Sequence, residues 1–241
     1  MATLDVLAVG AHPDDIELAC GGTLAKLTQL GYRVGVLDLT RGEAATRGTP
    51  EIRAREAEEA ARVLGLSVRR NLGLADAHVV DDLPARAAMV RVLRELRPTL
   101  VIAPHQADYH PDHARCGQLV KDALYVAGLR QVEPALPPHR PRALVHYPSH
   151  EEVVPSFVVD ISAQHEAKMR AVRCYRSQFH DPGSTEPETL ISSRQFLDRI
   201  EVRARYWGER IGATHGEPFR FEGVVPLATP LGVLSPREPP S

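Results

Sequence analysis

Short, mostly apolar runs alternate along the chain with longer segments whose apolar residues recur at helical spacing. Leu4 to Gly10 (LDVLAVG) is such a run and ends on a glycine. Thr23 to Leu30 then reads as helix, closed by Gly31, and Arg33 to Leu39 as a second strand. Glu51 to Leu64 places Ala and Val on one helical face among i,i+4 charge pairs, with Gly65 closing it. A short strand around Val68 follows. Next come an amphipathic helix over Leu83 to Leu96, stopped by Pro98, and a buried strand over Thr99 to Pro104 (TLVIAP). Pro111 to Val126 reads as helix. The Pro-rich EPALPPHRPRA is a loop leading to a strand at Leu144 to Tyr147. A strand at Phe157 to Asp160 and helices at Ala163 to Arg173 and Ser193 to Gly208 complete the body.

Strand and helix in this alternation predict an α/β fold. It would be a Rossmann-like, mostly parallel sheet with helices on both faces. Ligands on such sheets bind beyond the carboxyl ends of the strands. The residues following Val9, Leu39, Val68 and Ala103 are therefore expected to meet at one site. No internal repeat or domain boundary interrupts the pattern. Residues 1–241 are expected to form a single domain with a loosely packed Pro-rich tail after about residue 225.

Composition narrows the function classes. An apolar share of 43% with 25% charged residues excludes a disordered or fibrous chain. No run of about 18 apolar residues is present to cross a bilayer, and no basic residue precedes the first apolar stretch as a signal peptide requires. The 29 basic and 31 acidic residues form no basic face, so nucleic acid is not an expected partner. Cys20, Cys116 and Cys174 are odd in number and isolated, which excludes a disulfide scaffold and favours a reducing, cytoplasmic compartment.

The histidines carry the chemistry. AHPDD, Ala11 to Asp15, follows the first strand and supplies an imidazole and two carboxylates. HQADYHPDH, His105 to His113, follows the TLVIAP strand and supplies three imidazoles and two carboxylates. In a parallel sheet the two clusters face each other. His and Asp together suit Zn²⁺, Fe²⁺ or Mn²⁺, and a catalytic zinc site needs about three protein ligands and an open position. Pro111 suits the first position of a helix, which makes His110 its cap and puts His113 on the first turn. The two carboxylates of AHPDD need not share one role. One can bind metal while the other acts as base, the division a metal hydrolase requires. The plainer alternative is that Asp14 and Asp15 merely cap the next helix and His110 its own.

These residues resemble the LmbE/PIG-L family of N-acetylglucosaminyl deacetylases over nearly the whole chain. The match rests on AHPDDIELACGGTLAKL at 11–27 and HPDH at 110–113. TRGE at 40–43, the helix around Arg53, SQF at 177–179 and GEPF at 216–219 add to it. The resemblance implies zinc, with Fe²⁺ as another divalent option, held by His12, Asp15 and His113. It implies Asp14 as general base, His110 as the cation that stabilises the oxyanion, and Asp112 orienting an imidazole. Arg53 falls at a position that contacts the sugar-linked substrate. The helix around Arg53 and the SQF segment look most like the bacillithiol-biosynthesis branch, whose substrate is N-acetylglucosaminyl malate. Family members are cytoplasmic in bacteria and often hexamers, so a homo-oligomer acting on a small N-acetylglucosamine conjugate, without nucleic acid or membrane, is expected. Inositol or chitooligosaccharide conjugates are alternatives, as are a metal-dependent esterase or phosphoesterase and a non-catalytic Rossmann-like sugar- or nucleotide-binding module. The chain departs from the family signature at Ile16, often Glu, and at His215, often Tyr; His215 reads either as a polar group at the rim of the site or as a surface histidine. Asp76, Arg41 and Glu43 are expected to line the pocket, His105 to support it or to bond backbone, Tyr109 to pack, and Gly21 and Gly22 to allow close helix packing. The remaining histidines, His150 and His165 among them, read as ordinary surface or core residues.

Overall fold

The computed structural model describes residues 3–133 and 135–225, so the Pro-rich tail expected after about residue 225 lies outside the described residues. Seven strands and six helices follow one another as β1 (Val6–Gly10), α1 (Asp15–Gln29), β2 (Val34–Thr40), α2 (Pro50–Leu64), β3 (Val68–Leu74), α3 (Leu83–Leu96), β4 (Leu100–Pro104), α4 (Pro111–Ala127), β5 (Ala143–Tyr147), β6 (Phe157–Asp160), α5 (His165–Val172), α6 (Arg194–Glu209) and β7 (Gly216–Phe221). They build one sheet in the order β3-β2-β1-β4-β5-β7-β6. The first five strands of that order pair in parallel, and β7 runs antiparallel to both its neighbours. The expected α/β sheet with helices on both faces is what the chain forms.

Alternation along the strands explains the two-sided cover. Leu7 and Val9 of β1, Leu37 and Leu39 of β2, and Val101 and Ala103 of β4 pack with Met89 and Leu93 of α3 and Leu119 and Ala123 of α4. The intervening residues Val6, Ala8, Val34, Val36 and Ile102 pack on the other face with Ile16, Cys20 and Leu24 of α1. A further cluster joins α1, α2 and α5 through Ala25, Ala60, Leu64 and Val172. Both sides of the central strands are thus closed to water, which is why they read as near-continuous apolar runs. Among the described residues, no helix is long and apolar enough to cross a membrane.

Three elements differ from the sequence expectation. β3 is seven residues long and half-buried rather than short. Its polar stretch Arg69–Arg70–Asn71 hides it, because these side chains bond to neighbours instead of forming an apolar run. Helix α1 starts at Asp15, eight residues before Thr23, and breaks at Cys20, whose φ of −140° and ψ of 18° are not helical. The expected start at Thr23 is close to the start of the second half. β7 has no counterpart among the expected strands, because Pro218 and two charged residues obscure it. Its paired register on β5 covers only Arg220 and Phe221, so at Pro218 only β6 lies alongside and the missing N–H is tolerated.

Candidate active site

The loops after β1, β2, β3 and β4 meet beyond the carboxyl ends of the sheet, as the strand order requires. At the end of β1 the chain turns sharply into α1. Asp14 takes the cap position at φ 111°, a left-handed conformation that costs a non-glycine residue energy and is typically kept at functional sites. The turn is tied by the His12 N–H, which donates to Asp15 Oδ2 at 2.9 Å. At the end of β4, His110 caps α4: its Nδ1 accepts from the Asp112 N–H at 3.3 Å, with Pro111 in the first turn.

His12, Asp15 and His113 each bring a ligand atom within 4.8 Å of the other two. Asp15 lies between the rings, with His12 Nδ1 3.5 Å from its Oδ2 and His113 Nε2 3.2 Å from its Oδ1. The far nitrogen of each ring is anchored. His12 Nε2 meets Asp76 Oδ1 at 3.0 Å and Asp112 Oδ2 at 3.3 Å. His113 Nδ1 lies 2.9 Å from Ser149 Oγ and 3.7 Å from Asp108 Oδ2. A carboxylate on the far nitrogen fixes the tautomer and leaves the near lone pair for a metal, so this N,N,O set fits a divalent transition ion. Without a metal, the same carboxylates favour the protonated rings, whose protons a cation would displace. Burial opposes charge on His12, but Asp112, Asp15 and Asp76 outweigh it and raise its pKa to about 12. His113 is raised to about 9, burial being outweighed by Asp15 and Asp108. Asp15 is held well below the usual range, its burial outweighed by His113 and His12. The pocket therefore concentrates negative charge around two imidazoles.

Asp14 faces a different partner. Its Oδ2 accepts from Arg53 Nη2 at 2.9 Å, and the same guanidinium donates to Pro13 O and, at 3.5 Å, to Gly42 O. Burial pushes Asp14 up to about 7, against the pull of Arg53 and with repulsion from Asp15. A carboxyl poised there suits a general base at neutral pH. Arg53 itself is only 4% exposed. Its fork lies along Gly42, where a Cβ would come within 1.9 Å of Nη1. This places Arg53 beside Asp14 and ties it to the loop after β2. The helix position is legible in the sequence, but the direction of the side chain is not. His110 has its ring 4.6 Å from that of His113, and its pKa is lowered by burial and by the charges of His113 and His12. With Nδ1 accepting at the helix cap, the ring is neutral with its proton on Nε2.

Asp112 reaches His12 and also accepts from the Ala77 and Val79 N–H groups at 2.8 and 3.2 Å. Asp76 approaches His12 because β3 continues to Leu74. Glu43 ties the loops together, accepting from the Asp76 N–H at 2.9 Å and the Arg41 N–H at 3.1 Å. His105 bonds locally to Ala107, and Tyr109 is exposed, with its ring 4.7 Å from that of His150. Gly22 needs its missing side chain, since a Cβ would sit 2.7 Å from Ile161.

Several contributors are not apparent from the sequence. Asp108 accepts from the backbone N–H of His110 at 2.8 Å and lies 3.1 Å from His150 Nδ1 and 3.7 Å from His113 Nδ1, so it holds the turn before α4 and faces two rings of the cluster. Its place in HQADYHPDH is the available signal. Glu217, within the GEPF segment, is 1% exposed and accepts from the Gly22 N–H at 3.0 Å and the Thr23 N–H at 2.6 Å. It thereby caps the second half of the broken α1, with Lys168 Nζ 2.6 Å away to balance its charge. Nothing in the local pattern pairs residues 22 and 217.

Comparison with known proteins places this geometry. The family model PIG-L, GlcNAc-PI de-N-acetylase, matches residues 7–124, which include both AHPDD and HQADYHPDH. A diacetylchitobiose deacetylase from Thermococcus kodakarensis is 32% identical over 90% of this chain and 82% of its own. A probable N-acetyl-α-D-glucosaminyl L-malate deacetylase from Bacillus cereus is 29% identical over 72% of this chain and 83% of its own. The crystal structure of a conserved protein from Thermus thermophilus superposes with a TM-score of 0.86 at 41% identity, covering 95% of this chain and 98% of its own. The strained turn after β1, the capped histidine helix after β4 and these matches together make the chain a member of the PIG-L deacetylase family of amidohydrolases.

Proposed function

We propose that the protein removes the acetyl group from an N-acetylglucosamine conjugate with the help of one zinc ion held by His12, Asp15 and His113. The observation that carries this reading is the division of labour between adjacent carboxylates: Asp15 lies between the two imidazoles, whereas Asp14 faces Arg53 with a pKa near neutrality. Zinc, when bound, polarises a carbonyl and acidifies water. Asp14 takes the proton of the attacking water. Arg53 holds Asp14 in place and keeps its carboxyl from rising further. His110, locked at Nδ1, offers its Nε2–H to the oxygen that gains charge as the carbonyl carbon becomes tetrahedral. It acts as a neutral donor rather than the cation that the resemblance implied. Asp112 and Asp76 orient His12. Proton transfer to the leaving amine completes the cleavage to acetate and a free glucosamine amine.

For the aglycone, the sequence expectation is the malate conjugate of bacillithiol biosynthesis. The Bacillus cereus relative supports it, while the Thermococcus kodakarensis relative supports a chitooligosaccharide. Arg53 is bonded to Asp14, which leaves less of its guanidinium for the carboxylates of malate, and the chitooligosaccharide relative matches more of this chain. We propose diacetylchitobiose as the better first substrate. Mass-detected acetate release from diacetylchitobiose, N-acetylglucosaminyl malate and N-acetylglucosaminyl inositol tests this directly. Zinc-dependent release from diacetylchitobiose, exceeding that from the others, is expected. No release from any of the three overturns the deacetylase reading, and preference for the malate conjugate overturns the choice of aglycone.

A further inference from the structure

A second imidazole–carboxylate cluster stands apart from the one described, at the antiparallel edge of the sheet. His165 opens α5, Glu201 lies on α6, and His215 immediately precedes β7, so three separate elements converge on it. Glu201 Oε2 is 2.5 Å from His165 Nε2, and its Oε1 is 3.1 Å from His215 Nε2. The two rings are stacked, with centroids 3.8 Å apart and planes at 5°. From these residues we propose a second divalent transition-metal site, formed by His165 Nε2, His215 Nε2 and the Glu201 carboxylate.

The ligand atoms lie within 4.8 Å of one another, and two imidazoles with a carboxylate are borderline donors that suit Zn²⁺, Ni²⁺ or Cu²⁺. Both Nε2 atoms face the same carboxylate. One ion can take up the lone pairs of both rings and the charge of Glu201 together. His165 is buried, but the Glu201 side chain is 34% exposed, so solvent can reach the open positions that three protein ligands leave.

The same geometry sets the strength of the site. The rings must splay until their lone pairs converge. Metal on Nε2 moves each ring proton to Nδ1. For His215 that nitrogen has Thr214 Oγ1 at 3.2 Å, but His165 Nδ1 is buried without a partner among the described residues. Arg205 Nε also remains on Glu201 Oε1 at 2.5 Å, competing for its charge. The site is therefore weaker than the one at His12, Asp15 and His113, where the far nitrogens of both rings are anchored.

Equilibrium dialysis of the metal-free protein against Zn²⁺, with zinc counted by mass spectrometry, tests this, alongside a Co²⁺ titration read by visible absorption. Two ions per chain are expected, the second leaving first on dialysis. His215→Gln and His165→Asn should each remove the second ion alone and keep the first, which also reports that the variant is folded. Saturation of the unmodified protein at one ion, or two ions retained by both variants, overturns the proposal. Neither result depends on whether the protein deacetylates anything.

Discussion

Among the described residues stand two separate imidazole–carboxylate clusters, and they are built to different standards. At the centre, His12 has two carboxylates on its far nitrogen and His113 has Ser149 and Asp108 on its own. At the edge, one carboxylate serves both His165 and His215, and the far nitrogen of His165 has no partner among the described residues. The central cluster hangs from parallel strands closed on both faces, while the edge cluster joins two helices and the start of β7. Ligand types alone therefore do not separate a catalytic centre from a peripheral one. What separates them is whether each ring's second nitrogen is held, because that fixes the orientation of the ring. The central cluster also has a spare carboxylate, Asp14, that the ligands do not use.

Breaking the central cluster should have the largest effect. In His113→Ala the N,N,O set loses a ligand, and both the first zinc and deacetylation should be lost; zinc retained in full removes His113 from the set. Removing an anchor rather than a ligand comes next. Asp112→Asn and Asp76→Asn should each lower zinc affinity by about 10–100-fold, with activity restored by added zinc. Unchanged affinity in both would show that the carboxylates around His12 Nε2 do not matter to the metal. Because His12 and His113 are raised to about 12 and about 9, they bind protons in competition with metal. Zinc binding at neutral pH should therefore release about two protons and weaken as pH falls. Calorimetry in buffers of different ionisation enthalpy measures that number.

Arg53 gives a subtler test. Asp14 must be ionised to accept a proton, so kcat/KM falls as pH drops through its pKa, which lies at about 7 here and is lowered further by a bound dication. Removing the guanidinium removes a force that lowers this pKa. The acidic limb of Arg53→Ala should therefore move to higher pH, with kcat reduced. A large rise in KM with an unmoved limb would make Arg53 a substrate contact rather than a support for Asp14. The smallest effect belongs to the edge: His215→Gln should leave kcat/KM for diacetylchitobiose unchanged, and a loss of activity would tie the edge cluster to the chemistry.

Much of this arrangement is legible in the sequence. The apolar runs of β1 and β4 end just where AHPDD and HQADYHPDH begin, and the strand-end rule brings His12, Asp15 and His113 together. Pro111 gives away the cap at His110. What stays hidden depends on side-chain direction and on distant pairing. Arg53 is readily placed on its helix, but only the fold shows that it points at Asp14 across Gly42. Asp76 belongs to the pocket by its position, but its contact with His12 depends on where β3 ends, and the polar residues Arg69 to Asn71 conceal that. The start of α1 at Asp15 is obscured by the break at Cys20, which is stable because Glu217 from the far end of the chain caps the second half. His165 and His215 stand fifty residues apart with nothing between them to suggest that they stack.

The division of labour between the two adjacent carboxylates is tested most sharply by comparing Asp14→Asn with Asp15→Asn, counting zinc and following acetate release from diacetylchitobiose in the same preparations. Asp14→Asn should keep its first zinc while kcat falls by about a hundredfold to ten-thousandfold, the range of a general-base contribution. Asp15→Asn should bind zinc weakly and recover part of its activity when zinc is added. Loss of zinc from Asp14→Asn, or full zinc together with full activity in Asp15→Asn, would refute that division.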